Sequence, residues 1–337
     1  MRGPAPGRAL SVRSGPAVRS ALAVLSALAL VSGVSGCGLS SGSPMADDVS
    51  PGTIGKGRPL TGARLTVTSK SFTENLVLGA MTGIAFQAAG AEVVDRTGIQ
   101  GSIGPREAVR KGEADAMYEY TGTAWISYQG NSEPLPDAQA QWKAVRDADL
   151  KNGVTWLPPS RLDNTYALAM NRDLHKRYDT HNLSQVAALG TAMPSAVTLC
   201  VEGEFANRAD GLPGMLKAYG LKVPASRITQ MDTGIIYTEA AKGRCTYGEV
   251  YTTDGRIASM DLVVMADDRT FFPHYNAAPE VNSRTLEKWP AIADVLAPLT
   301  AKLDNDVART LNARVDVDGE DPHQVALEWM KEQRLVR

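Results

Sequence analysis

Three short stretches concentrate side chains suited to gripping a small charged molecule: Ser69-Lys70-Ser71-Phe72-Thr73-Glu74, Glu119-Tyr120-Thr121-Gly122-Thr123 and Glu249-Val250-Tyr251-Thr252-Thr253-Asp254-Gly255-Arg256. Each joins an aromatic ring to hydroxyls and at least one charge. A trimethylammonium group has a fixed charge but no N–H, so hydrogen-bond acceptors cannot grip it. Aromatic faces can, at about 0.5–2 kcal/mol per ring. Three or four rings then supply much of the roughly −8 kcal/mol of a micromolar site. Tyrosine is the ring this chain has to spend, with ten Tyr against five Phe and five Trp. An anionic end of the same ligand would need Arg, which grips a carboxylate bidentately, or the point charge of Lys. Catalytic patterns are missing by contrast. His175, His181, His274 and His323 form no pair at metal-ligand spacing on a helix, and no nucleophile elbow, P-loop or CxxC occurs. Gly98, Gly101 and Gly104 stand three apart, which misses the dinucleotide fingerprint. The residues point to binding rather than to an enzyme, with no cofactor and no metal expected.

These stretches need a scaffold, and the pattern around them alternates strand with helix. Strands are expected at 65–68, 91–94, 114–118, 166–170, 197–201, 246–250 and 262–265. Helices are expected over 72–89, 105–111, 183–189, 213–219, 234–242, 284–303 and 322–332. In the first, Phe72, Leu76, Met81, Ile84 and Ala88 recur at the spacing of one helical face. Alternation of this kind implies an α/β chain with mostly parallel sheets. Ligands in such folds sit beyond the carboxyl ends of strands, where all three stretches fall.

The stretches also occur in a known order. "SK-x-FTE", "YEYTGT", "DNTYAL", "EF-x-x-R-x-DG" and "YTTDGR" follow one another from residue 65 to about 280. In this the chain resembles the substrate-binding lipoproteins of osmoprotectant ABC importers, the glycine betaine, choline, carnitine and proline betaine group. The resemblance implies a two-lobed periplasmic-binding-protein clamp of type II kind with two crossovers between the lobes: 62–165 plus 273–337 as one, 166–272 as the other. It implies a cage of Tyr120, Tyr166, Tyr251 and, on a looser match, Tyr275 around a quaternary ammonium group. Lys70, Thr123 and Arg208 would meet a carboxylate. Asn164 stands where some relatives carry Asp and would pull on the cation less. The implied partners are the solute and the membrane subunits of an importer, with the chain a monomer. A binding protein for another small solute is the first alternative, a lipid-anchored enzyme the second. A polyamine binder would line its site with carboxylates, and few are expected in this pocket.

The N-terminus fits an exported protein. Arg2, Arg8, Arg13 and Arg19 precede the apolar run 21–30, which is too short to span a bilayer and reads as a signal peptide over 1–36. Val34-Ser35-Gly36-Cys37 matches the bacterial lipobox, which by resemblance makes Cys37 the lipidated residue. Residues 37–61, rich in Gly, Ser and Pro, would tether an extracytoplasmic body to the cell membrane. Removing residues 1–36 takes four arginines and no acid from 35 basic and 37 acidic residues, which leaves a net charge of about −6. No basic excess invites nucleic acid. Cys200 and Cys245 remain, and an even pair in an exported chain favours a disulfide over two buried thiols.

Overall fold

The computed structural model describes residues 43–44, 49–131, 134–135 and 137–337. The signal-peptide and Cys37 assignments lie outside the described residues, as do residues 37–42 and 45–48 of the tether; residues 49–61, expected to belong to it, instead pack on the body, with Ile54 and Leu60 buried and Pro51 bridged to Val336. The described residues form one compact unit, and among them there are eleven strands. They are β1 (Ser43–Pro44), β2 (Arg64–Lys70), β3 (Glu92–Ile99), β4 (Ala116–Tyr120), β5 (Val154–Trp156), β6 (Tyr166–Asn171), β7 (Leu199–Val201), β8 (Ile228–Gln230), β9 (Tyr247–Tyr251), β10 (Leu262–Met265) and β11 (Ala277–Asn282). Two sheets result, ordered β1-β3-β2-β4-β11-β5 and β10-β6-β9-β7-β8.

The α/β class and the two-sheet, two-crossover architecture agree with expectation, but the sheets are mixed rather than mostly parallel. β2 runs parallel to β3 and β4, and β7 to β8 and β9, whereas β11 is antiparallel to β4 and β5, and β6 to β9 and β10. The reason lies in the crossovers. The chain leaves the first sheet after β5 and re-enters it as β11, so β6 and β11 each begin at a crossover and run against their neighbours. An isolated antiparallel bridge between Asp163 and Asn276 pins the two crossing segments together.

Local chemistry explains the elements. β2 reads Arg-Leu-Thr-Val-Thr-Ser-Lys, rich in the β-branched residues that suit a pleated surface. The helix Thr73–Ala88 was expected to bury one face; it buries nearly all round, Val77, Leu78, Met81, Ile84, Ala85 and Phe86 included. It packs on the first sheet and is covered by the helices Asn305–Asp316 and Pro322–Glu332, and burial on all sides requires such an apolar surface. The helix expected over 284–303 is two, Ser283–Lys288 and Ala291–Thr300. Pro290 between them lacks an N–H and disfavours helical backbone at Trp289. In the second sheet, Cys200 on β7 and Cys245, just before β9, are joined by a disulfide with Cα atoms 5.8 Å apart. No helix among the described residues is long and apolar enough to cross a membrane.

A charged cluster lies inside the first sheet's layer. Arg106, on the helix Ile103–Lys111, is 4% exposed. Its guanidinium meets Asp149 Oδ1 at 2.7 Å and Glu280 Oε1 at 2.8 Å. Asp149 also accepts from the Trp156 indole at 2.7 Å, and the ring of Tyr128 lies 5.2 Å from the guanidinium carbon.

Candidate functional site

One cavity of about 70 Å³ takes all eight residues singled out as ligand contacts into its wall: Lys70, Tyr120, Thr123, Asn164, Tyr166, Arg208, Tyr251 and Tyr275. That space is several times what one water molecule needs. Lys70, Tyr120 and Tyr251 end β2, β4 and β9, as the strand-end rule implies. Tyr166 begins its strand instead. Because β6 runs antiparallel to β9, its first residue stands opposite the last of β9, Tyr166 against Tyr251. Tyr275 reaches the same edge just before β11, whose Ala277 stands opposite Tyr120. Gly122 makes room for it: a Cβ there would lie 2.6 Å from the Tyr275 ring.

The rings pack into one cluster. Tyr166 lies 5.2 Å from Tyr251 and 5.4 Å, edge-on, from Tyr275, centroid to centroid. Phe72 is stacked on Tyr251 at 5.3 Å and lies 6.0 Å from Tyr120. Burial raises the phenol pKa of Tyr120, Tyr166, Tyr251 and Tyr275, so the rings stay neutral at ordinary pH. Two hydroxyls are anchored on carboxylates, Tyr120 donating to Glu74 at 2.7 Å and Tyr275 to Asp210 at 2.6 Å. A neutral, oriented ring cluster can hold a cation on its faces.

The charges differ from expectation. Lys70 and Arg208 were expected to await a ligand carboxylate, yet each already has a protein partner. Lys70 Nζ lies 2.7 Å from Glu119 Oε1, both buried. Arg208 forks onto Asp210 through Nε at 2.8 Å and Nη2 at 2.5 Å. Only its Nη1 is loosely held, at 3.3 Å from Glu204 and 3.4 Å from Thr123. The expectation of few carboxylates also fails, since Glu202 and Glu204 both line the cavity. Glu202 caps the helix Gly203–Asn207 by accepting from the N–H groups of Glu204 and Phe205. Buried Glu249 sits behind it, accepting from the Glu202 N–H at 2.7 Å, and burial pushes its carboxyl up to about 8. The Asn164 amide donates to Glu74 at 2.9 Å, so its nearest charge is a protein carboxylate.

Sequence reasoning missed Phe72, Glu202, Glu204, Asp210 and Glu74. Phe72 carried a signal, standing inside the first motif, but it was read as part of a helical face; in the structure it is the residue just before the helix. Glu74, Glu204 and Asp210 also stand inside the motifs, but nothing local shows that an acid there is buried against a partner rather than solvated, and Glu202 carried no signal at all. Among the described residues no group of His, Cys, Asp and Glu could hold a metal ion.

With this geometry in hand, the likeness to known proteins is informative. Residues 63–332 match the family model of the substrate-binding domain of ABC-type glycine betaine transport systems. A glycine-betaine-binding protein of Pseudomonas aeruginosa is 37% identical over 277 residues, covering 81% of this chain and 88% of that protein. The glycine betaine-binding protein YehZ of Escherichia coli K12 is 30% identical over 79% of this chain and 89% of its own length. The solved structure of apo YehZ superposes with a TM-score of 0.61 at 27% identity, over 81% of this chain and all of that one.

Proposed function

The chain belongs to the family of substrate-binding domains of ABC-type glycine betaine transport systems, and on that premise we propose that it captures a quaternary-ammonium solute of the glycine betaine or choline type between its two lobes. The observation that carries this reading is the convergence of Tyr120 and Tyr275 with Tyr166 and Tyr251, contributed from both sheets, around one cavity. Four neutral rings, three of them buried and Tyr251 half-buried, suit a fixed cation and offer nothing to an N–H donor that a carboxylate would not do better. Phe72 joins the cage as a fifth ring. Lys70, Thr123 and Arg208 address a ligand carboxylate, chiefly through the loosely held Arg208 Nη1, and Asn164 flanks the cation. The acids Glu119, Asp210, Glu202 and Glu204 outnumber the two bases, which favours a ligand carrying positive charge.

The role is binding for transport rather than catalysis. The lobes are 62–165 plus 273–337 and 166–272, and they close as a clamp. The chain works outside the cytoplasm as a monomer, held to the cell membrane through lipidated Cys37, and delivers its solute to importer membrane subunits. Cys37→Ala should then shift the protein from the detergent phase to the aqueous phase on partitioning. A second reading, a binder of some other amine, draws on the Glu202 and Glu204 carboxylates. Isothermal titration against glycine betaine, choline, carnitine and a primary diamine decides between them. Binding of at least one quaternary amine with no heat from the diamine supports the cage; tight diamine binding with silence from every quaternary amine refutes it.

A further inference from the structure

Beside the cage lies a second cluster that no ligand contact explains. The turn after β9 runs Thr252-Thr253-Asp254-Gly255-Arg256, and three of its residues reach helices packed on the first sheet. The Thr253 hydroxyl donates to Glu74 Oε2 at 2.6 Å. The Thr253 carbonyl accepts from Asn312 Nδ2 at 2.9 Å, and the same amide donates to Glu74 Oε2 at 3.2 Å. Arg256 forks onto Asp254 and reaches Asp316 at 3.5 Å. Between these contacts Gly255 lies flat on the helix Asn305–Asp316; a Cβ there would sit 2.5 Å from Ala313 Cα. Glu74, Thr253 and Asn312 are each no more than 4% exposed.

The other oxygen of Glu74 faces the cage. It accepts from the Tyr120 hydroxyl at 2.7 Å and from Asn164 Nδ2 at 2.9 Å. All four partners of this carboxylate are donors, two on the cage side, one at the turn and one, Asn312, on the helix Asn305–Asp316 that also holds the turn. One carboxylate therefore fixes a cage ring and grips the opposite sheet's turn at once.

We propose that the Thr253–Arg256 turn is the latch that holds the lobes together, that Glu74 with Asn312 is its keeper, and that through Tyr120 the latch and the cage engage as one event. This rests on the reading of the molecule as a clamp that closes on its solute. Thr253 is a positioning residue here, acting on the ligand only through closure. Losing a buried hydrogen bond to a charged group opens the clamp more often and speeds release.

The test uses the full chain with choline and glycine betaine as probes. Thr253→Val keeps the shape and removes the donor; Thr253→Ser restores it; Gly255→Ala wedges the turn off Ala313. We expect the Val and Ala variants to release ligand about tenfold faster with little change in on-rate, and the Ser variant to behave within about twofold of wild type. Spin labels at Leu150→Cys, the exposed last residue of the helix Ala138–Leu150 packed on β5, and Met193→Cys, exposed just after the helix Leu183–Ala192 between β6 and β7, report the lobe separation without ligand. Longer distances in Thr253→Val than in wild type are expected. Unchanged off-rates and unchanged distances in Thr253→Val overturn the latch. If wild type binds neither probe, the ligand reading falls instead, and the ligand-free distances still decide the latch.

Discussion

Arg106 and Arg208 are both buried arginines held by carboxylates beside aromatic rings, yet they belong to different kinds of site. Arg106 is gripped from two sides, by Asp149 on one helix and Glu280 on β11, and its surroundings are all core. Arg208 is gripped hard on one side by Asp210 and loosely on the other, where its Nη1 faces Thr123 and Glu204 at a cavity wall. A buried guanidinium faced on two sides by buried protein carboxylates is a structural strut. One with a donor left at a cavity can still answer a ligand. Residue type and burial do not separate the two; the direction of the last N–H does.

The comparison breaks most easily at the strut. Arg106→Met leaves the buried carboxyls of Asp149 and Glu280 without their cation and should cost about 3–5 kcal/mol in urea unfolding. Affinity of the remaining folded protein should stay at wild type, and a ligand defect in that fraction would erase the distinction. On the cavity side, Glu249 titrates near 8 because burial disfavours its charged form, against an ordinary value of 4.5. Its native pKa is raised, so between about 4.5 and 8 the folded state holds more of its proton than the unfolded state. Stability therefore falls as pH rises through that window. Glu249→Gln should flatten this slope by up to a few kcal/mol between pH 5 and 8, read from paired unfolding curves. An identical slope in the variant would mean that Glu249 is ionised throughout.

Arg208→Ala sharpens the contrast from the ligand side. It should weaken glycine betaine about tenfold more than choline, since only the former presents a carboxylate. Equal losses would make Arg208 a second strut. The rings come last. Tyr120, Tyr166 and Tyr251 to Ala should each cost about 0.5–2 kcal/mol of binding, and to Phe much less for Tyr166 and Tyr251, by titration calorimetry. Tyr120→Phe also leaves a Glu74 acceptor oxygen without its Tyr120 donor and should lose more than the other two; three equal Phe variants would uncouple cage from latch.

The strand ends Tyr120 and Tyr251 were readable from the alternation of strand and helix, and the order of motifs added Tyr166 and Tyr275. What local reading could not supply was pairing direction. Strand β11 contains Pro279, which argues against a central strand, yet it lies between β4 and β5. Its antiparallel course brings Tyr275 to the cavity. The neutralising acids were equally hidden, because Glu119, Asp210 and Glu74 acquire their meaning only from residues up to 238 positions away. The helix break at Trp289-Pro290 was legible in the sequence, and the long helix expected there overlooked it.

The paired crossovers have a consequence for how affinity is set. The cage exists only while the two sheets stand together, so the measured dissociation constant is the cage's own value divided by the fraction of molecules in that arrangement. The Asp163–Asn276 bridge, with the Asp163 carboxylate accepting from the Tyr275 N–H at 2.7 Å and paired with His274 at 2.9 Å, joins the two segments that cross between the sheets, and on the clamp reading it bears on that fraction together with the latch. Substitutions there should raise or lower affinity for every solute by one common factor, leaving the ranking among solutes to Arg208 and the rings. On this reading, substitutions at the crossovers set strength and those at the cavity wall set choice, and only the Tyr120–Glu74 link ties the two together.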